Sequence, residues 1–542
     1  GTPGKWIKTT DAKGMQLPYG GEKLYEAKNG LNAVLTLDET IQHFAEKAAI
    51  EALVKNKAKN VSIIVMEPKT GDILAMATKP DFDPNNPREP MDENIKEQWK
   101  NLSQEELEKE WYNMWRNFAI NDSYEPGSTF KIITSAIGLE ENIVNADSHF
   151  YCGGYINDIP GAKLKCWRYY NPHGDQTFAQ GVQNSCNVVF VNLGRRIGSE
   201  RMLKYIKGFG FGENTGIDLT GEQAGIIPSS SKNIKEVNLA TISYGQGIAV
   251  TPIQLITAIS SVANGGNLMK PRLVKELIDN EGNTVHAFEP EIRRKVVSPD
   301  TSKTLMGILE SVVSDGTGSK AYVPGYKVAG KTGTAQKVID GKYAQGKYIS
   351  SFAAVAPADD PRIAVLVIID EPSNGAYYGG IVAGPVTGEI IKETLEYLNV
   401  EPKYTEKEME EYNKMVVVPD VREQTIVEAG KILTDLGFKY NTETIEITAE
   451  SKVIDQFPLP GTEVSQGSII DLYLNIKRNE LDVNLMPDLM GKRKEEVIKI
   501  LDKLNIKYNI NGNGIVTKQF PKSGNKLEKN IIIEVELSDI KE

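Results

Sequence analysis

Ser128 and Lys131 lie three positions apart in the string Ser128-Thr129-Phe130-Lys131. A hydroxyl within reach of an amine is the basic equipment of nucleophilic acyl transfer. Two further strings carry the other groups such chemistry uses. Ser185-Cys186-Asn187 supplies a hydroxyl and an amide, and Lys331-Thr332-Gly333 supplies a cation, a hydroxyl and a position without a side chain. None is decisive alone. Ser229 to Lys232 and Ser523 to Lys526 repeat the first spacing, Ser231-Lys232-Asn233 the second, and Lys69-Thr70-Gly71 the third.

Context separates them. Ser128 follows Glu125-Pro126-Gly127 and precedes Phe130, Ile132, Ile133, Ala136 and Ile137, a pattern that predicts the N-terminus of an apolar, buried helix. Free backbone N–H groups and the positive end of the helix dipole favour a developing oxyanion there. Three residues along a helix return to the same face, so Lys131 is expected to reach the Ser128 hydroxyl. Burial and a second nearby cation lower a lysine pKa and suit it to act as a general base. Lys331-Thr332-Gly333-Thr334 follows Val328-Ala329-Gly330 and is expected to continue as a strand at the edge of the site. There Gly333 leaves room for a substrate backbone to pair as an extra strand. Ser229 falls in the loop text Pro228-Ser229-Ser230-Ser231, and Lys69-Thr70-Gly71 falls at a hairpin tip.

The elements that must position these groups form an α+β pattern. Gly1 to Gly30 reads as an irregular lead-in. Asp38 is expected to cap a helix bearing Ile41, Phe44, Ala45, Ala48, Ala52 and Leu53 on one face. Val61 to Met66 and Ile73 to Ala77 read as hairpin strands, and Tyr326 to Val328, Ile349 to Val355 and Ile363 to Ile369 as further sheet strands. Gly384 to Leu398 reads as a final helix, and 401–414 as a charged linker. An internal repeat follows. Val418-Pro419-Asp420-Val421 matches Met486-Pro487-Asp488-Leu489, helix Ile426 to Leu436 matches Val497 to Leu504, and Phe457-Pro458 with Gly461 matches Phe520-Pro521 with Gly524. Alternating strands, Ile469 to Leu474 and Ile531 to Leu537, close the two units.

Length and composition set the outer bounds. A chain of 542 residues needs two to four domains. Its 40% hydrophobic and 25% charged content is that of a globular protein. The net charge of -11 gives no reason to expect nucleic acid, which calls for clustered Lys and Arg. No apolar run approaches the roughly 20 residues needed to cross a bilayer. The three cysteines cannot all pair internally. Cys152, Cys166, His173 and either Cys186 or Asp175 offer the ligand types of a structural zinc that would hold the Ser185 to Asn187 segment. The plainer alternative is a buried Cys186 with the other two free or disulfide-bonded.

At its three motifs the chain resembles the penicillin-binding proteins, and more closely the class B transpeptidases of Gram-positive bacteria. The surrounding text agrees: Leu35-Thr36-Leu37-Asp38, Glu125-Pro126-Gly127-Ser128, Ser243-Tyr244-Gly245-Gln246-Gly247 with Thr251-Pro252, and Lys331 to Gln336. The terminal repeat resembles PASTA modules. The resemblance implies an antiparallel sheet packed by helices plus an all-helical subdomain at 31–400, then PASTA modules at 415–477 and 480–539, with 1–30 the remnant of an N-terminal pedestal. It implies that Ser128 attacks the penultimate D-alanine carbonyl of a peptidoglycan stem peptide and that Lys131 takes its proton. It further implies that Ser185 and Asn187 relay that proton and hold the peptide amide, that Lys331 supplies positive charge, and that Thr332 and Thr334 bind the terminal carboxylate. The Ser128 and Thr334 N–H groups would form the oxyanion hole. No cofactor is required for the chemistry, and β-lactam antibiotics would acylate Ser128. It also implies an extracytoplasmic enzyme with an N-terminal membrane anchor, working beside a membrane-embedded glycosyltransferase, in division or sporulation. A serine β-lactamase or β-lactam sensor shares the motifs, and a catalytically silent cell-wall-binding scaffold is the non-enzymatic alternative.

Overall fold

The computed structural model describes residues 1–17, 19–339, 341–412, 415–442, 450–474, 486–487, 489–490, 492–504, 507–521, 527 and 532–538. The chain divides into two compact units, Gly1–Pro402 and Lys403–Glu542.

The first unit opens with a small antiparallel pair, β1 (Lys5–Lys8) and β2 (Glu22–Tyr25), where the sequence suggested irregular chain. Both strands are fully exposed, so they carry no apolar alternation to read. Helix α1 (Glu39–Asn56) begins as expected: the Asp38 carboxylate accepts from the N–H groups of Thr40 and Ile41 at 2.9 and 3.1 Å. It buries Ile41, Ala45, Ala48, Ala49 and Ala52, a small-residue stripe that lets the helix lie close to the sheet. Strands β3 (Asn60–Met66) and β4 (Ile73–Lys79) follow, then two short surface helices, α2 (Glu93–Trp99) and α3 (Gln104–Met114). The helical lobe contains α4 (Lys131–Glu140), the paired strands β5 (His149–Cys152) and β6 (Gly174–Thr177), α5 (Phe178–Gln183), α6 (Asn187–Ile197), α7 (Pro252–Ala263) and α8 (Pro299–Ser314). The chain then returns to the sheet with β7 (Ala329–Ile339), β8 (Lys342–Ala356) and β9 (Ile363–Asp370), and α9 (Gly384–Tyr397) closes the unit.

The five strands lie in the order β7-β8-β9-β3-β4, all antiparallel. Every residue of β9 is buried, because helices cover both faces and both sets of alternating side chains need apolar neighbours. Ile64 and Met66 of β3 join the core shared with α4, α6 and α7. Val61, Ile63 and Val65 point the other way, into the core shared with α1 and α9. Helix α7 is buried on every side, which accounts for its sequence, Pro-Ile-Gln-Leu-Ile-Thr-Ala-Ile-Ser-Ser-Val-Ala.

One strand differs from expectation. Tyr326 to Val328 precedes the sheet instead of belonging to it, since a tight turn at Gly325 (φ +77°) links Val323 to Tyr326 and the ladder starts at Ala329. Beyond Gln336 the β7-β8 hairpin is largely exposed and polar, so it lacked the apolar pattern that marks a strand.

In the second unit, α10 (Ile426–Asp435) packs with a sheet in which β12 (Ile469–Tyr473) pairs in parallel with β10 (Lys439–Thr442) and antiparallel with β11 (Asp455–Phe457). The repeat has α11 (Lys494–Leu504) with β15 (Ile532–Ser538) between β13 (Lys507–Asn511) and β14 (Ile515–Phe520), in the same senses. Each module is tied by one glutamine that sequence comparison passed over. The Gln456 amide accepts from Val421 N–H at 2.8 Å and donates to Pro419 O at 2.9 Å. Gln519 does the same to Leu489 and Pro487, at 2.6 and 2.9 Å. Asp488 and Gly524 of the repeat pattern lie outside the described residues. Among the described residues no helix is long and apolar enough to cross a membrane.

Candidate active site

Ser128 sits in a single 3-10 turn, Gly127–Phe130, that runs directly into α4. Gly127 has φ +55°, and a Cβ there would press on Ala335 Cβ and Thr334 O at 3.2 Å, so the serine loop and β7 touch where only glycine fits. Gly127 N–H donates to Gly245 O at 2.9 Å, which ties the turn to the loop after Ile242. That contact gives the Ser243 to Gly247 string its reason: a Cβ on Gly245 would lie 2.0 Å from Gly127 O.

The second motif occupies the α5-α6 junction. Ser185 takes φ +52°, a left-handed conformation uncommon outside glycine, asparagine and aspartate. Such strain is characteristic of functional turns, and it aims the Ser185 hydroxyl at both lysines. Lys131 Nζ donates to Ser185 O at 2.8 Å, Ser185 Oγ at 3.2 Å and Asn187 Oδ1 at 2.7 Å. Lys331 Nζ donates to the same Ser185 Oγ at 2.9 Å and to Thr332 O and Oγ1 at 3.3 Å. The three motifs therefore converge on one hydroxyl.

Both lysines are fully buried, and neither has a carboxylate partner among the described residues. Burial lowers the Lys131 pKa to about 8. Burial, and after it the charge of Lys131, holds Lys331 well below the usual lysine value. The sequence argument expected Lys131 to reach Ser128. In the structure no hydrogen bond joins them, and the amine is held on Ser185 and Asn187 instead. Gly333 also has a reason within the protein, beside the one expected from the sequence. Its absent Cβ would lie 2.3 Å from Ser351 Oγ of β8 and 2.9 Å from Thr129 Cγ2, so packing within the protein forbids a side chain. Thr334 Oγ1 accepts from Gly379 N–H at 3.0 Å, a contact with no sequence signal because Gly379 lies outside every motif.

The repeated motifs stand elsewhere. Lys69 is exposed and paired with Asp360, and Gly71 turns the β3-β4 hairpin at φ +81°. Ser229 binds Asn233 on the surface, and Ser523 to Lys526 lies outside the described residues.

The β5-β6 pairing sets Cys152 opposite Gly174, next to His173. Cys152, Cys166, His173 and Cys186 place their ligand atoms within 4.8 Å of one another. The three thiols are free and buried, so the disulfide alternative does not hold. Asp175, the other fourth ligand offered by the sequence, is exposed on β6 and outside the group, because strand alternation turns it away.

Residues 61–392 match the family described as the penicillin binding protein transpeptidase domain, and 416–476 and 484–539 each match the PASTA domain. The chain is 41% identical over 470 residues to stage V sporulation protein D of Bacillus subtilis, spanning 86% of this chain and 68% of that protein. It is 31% identical to peptidoglycan D,D-transpeptidase FtsI of Escherichia coli, over 74% of this chain and 62% of the relative. Among solved structures, penicillin binding protein 3 of Mycobacterium tuberculosis in complex with ampicillin superposes with a TM-score of 0.61 at 29% identity, over 71% of this chain and 81% of that one. The transpeptidase domain of Burkholderia pseudomallei penicillin-binding protein 3 gives 0.57 at 30% identity, over 68% and 98%.

Proposed function

We propose, for a chain that belongs to the penicillin-binding protein transpeptidase family, that Ser128 opens the D-alanyl-D-alanine bond of a peptidoglycan stem peptide and passes the acyl group to an amine of a neighbouring strand. The observation that carries this reading is the convergence of Lys131 and Lys331 on one buried hydroxyl, that of Ser185, with Lys131 following directly on the turn that presents Ser128. A desolvated lysine without a counter-ion can exist as the neutral amine that draws a proton from serine.

In this reading Lys131 takes the Ser128 proton and Ser185 Oγ passes a proton on to the departing D-alanine amine. Asn187 holds the peptide amide, and Lys331 stabilises charge near the carbonyl. Thr332 and Thr334 take the terminal carboxylate, and the N–H groups of Ser128 and Thr334 meet the oxyanion. The test is a stem pentapeptide with a radiolabelled final D-alanine, incubated with and without an added D-amino acid. D-alanine release together with an amide product is the expected result. Release without amide product would mark a hydrolytic D,D-peptidase, and no release joined to rapid loss of a penicillin label would replace the reading with a β-lactamase. The greater likeness to a sporulation protein than to FtsI favours a sporulation role. In this reading the enzyme works on the outer face of a membrane, anchored by an N-terminal helix and beside a membrane-embedded glycosyltransferase.

Cys152, Cys166, His173 and Cys186 fit a tetrahedral zinc. Zinc–sulfur bonds of about 2.3 Å set tetrahedral sulfurs about 3.8 Å apart, and Cys166 and Cys186 Sγ stand 3.9 Å apart. His173 Nδ1 lies 3.6 Å from Cys166 Sγ, and its Nε2 is buried with no hydrogen-bond partner among the described residues. The ion would brace the turn between Ser185 and Asn187. Protein purified without added metal should contain about one zinc per chain, and a strong chelator should lower its melting temperature by at least about 5 °C. Elemental analysis showing no zinc, with no change in melting, would remove the metal.

A further inference from the structure

We propose that Glu125, in the cavity it lines just ahead of the Ser128 turn, receives the ammonium group of the acceptor strand and takes a proton from it before the amine attacks the acyl-enzyme. The proposal rests on the acyl-transfer reading above and concerns its second half.

A cavity of about 1030 Å³ is lined by Ser123, Tyr124 and Glu125, the residues that lead into the serine turn. Strand β7 runs past both places: Thr332 to Thr334 stand at the motif end, and Gln336, Lys337 and Val338 continue along the cavity wall. Glu125 also lines the cavity, three residues before the nucleophile. Its backbone and the serine turn share one frame. Tyr124 pairs with Val250 in both directions, at 3.0 and 2.9 Å, and Gly127 N–H donates to Gly245 O. The same loop supplies the Gly247 N–H that donates to Glu125 Oε1 at 2.8 Å. The Tyr343 hydroxyl completes the support, 3.2 Å from each carboxylate oxygen.

An amide and a phenol thus hold Glu125, and no cation pairs with it among the described residues. Burial raises its pKa above the usual carboxylate value, which makes it a better proton acceptor than an exposed glutamate. The cavity has the matching charge. Six carboxylates and three cations line it; Arg116 pairs with Asp122, Lys337 with Asp370 and Asp81 with Lys79, which leaves Asp92, Glu110 and Glu125 against Lys59. An arriving ammonium meets a favourable field there.

The second half-reaction has a proton requirement that Lys131 alone does not meet. The acceptor arrives as R-NH3⁺ and must lose one proton before its lone pair can attack. Glu125 takes that proton and later releases it to water. As nitrogen bonds to the acyl carbon and the carbon–Oγ bond breaks, the second nitrogen proton passes through Lys131 to Ser128 Oγ. The products are an amide, a free serine and one released proton.

The test uses the full chain and measures how preformed acyl-enzyme partitions between an amine and water. The acyl-enzyme is made from a D-alanyl thioester, and the two acceptors are D-alaninamide, charged at neutral pH, and hydroxylamine, which is uncharged there. In Glu125→Gln the aminolysis-to-hydrolysis ratio for D-alaninamide should fall at least tenfold, while the ratio for hydroxylamine stays within threefold. Glu125→Asp should recover part of the loss. An unchanged ratio for D-alaninamide, or equal losses for both amines, overturns the proposal, because a mere shift of the loop would not distinguish the acceptors by charge. Failure of the unsubstituted chain to form any acyl-enzyme would overturn the underlying reading as well, whereas an acyl-enzyme that partitions identically in both proteins overturns this inference alone.

Discussion

Replacing Ser128 with alanine should abolish covalent labelling by a fluorescent penicillin, with a loss of about 10⁴-fold or more, in the range found when an acyl-enzyme nucleophile is removed. The substitution suits the question because it disturbs little. Among the described residues the Ser128 hydroxyl makes no hydrogen bond, and its turn is held by Gly127 N–H on Gly245 O and by Thr129 Oγ1 on Pro126 O at 2.7 Å. Stability should therefore change by no more than about 0.5 kcal/mol, which thermal melting would check. A labelled Ser128→Ala protein would move the nucleophile elsewhere. Ser229, which has the same Ser/Lys spacing, offers no substitute, since it is a surface residue bound to Asn233.

Lys131→Met should slow acylation about 10³-fold, within the range that general-base catalysis supplies. Methionine keeps the length and apolar stem but leaves Ser185 O and Asn187 Oδ1 without the donor they have now. That costs about 1–3 kcal/mol of stability, so melting must be followed alongside labelling. The rate in the unsubstituted protein should also depend on pH in a defined direction. With Lys131 as the proposed base, acylation should need the neutral amine, and burial lowers the Lys131 pKa to about 8. Below that value each pH unit should raise the rate about tenfold, and above it the rate should level off. The residual rate of Lys131→Met should lack this limb. A rising limb that survives the substitution would assign the base to another group, with Lys331 the first to examine because its pKa is also lowered by burial.

Much of the fold was legible because apolar spacing reports burial. Strands β3, β4 and β9 and helices α1 and α9 followed from it, while the two terminal modules followed from matched residue strings along the chain. The β1-β2 pair and the outer part of the β7-β8 hairpin did not, since their strands pair through backbone hydrogen bonds while their side chains face water. Glu125 and Tyr343 were equally silent, being 218 positions apart and joined only through space. The glutamine clamps at Gln456 and Gln519 escaped for a related reason: one polar residue inside a strand carries no sign of the loop it will tie down.

By itself the sequence determined the family, the order of the three motifs and which copy of each belongs to a buried element, because local composition around Ser128, Ser185 and Lys331 differs from that around their surface counterparts. Tertiary structure alone decided that Ser185 Oγ joins the two lysines, that Cys186 and not Asp175 completes the thiol–imidazole group, and that Gly333 is required by Ser351 and Thr129. The division has a physical cause. Burial of a segment follows from its own residues, whereas a hydrogen bond or a close approach between segments depends on how two distant stretches of backbone are brought to within about 3 Å of each other.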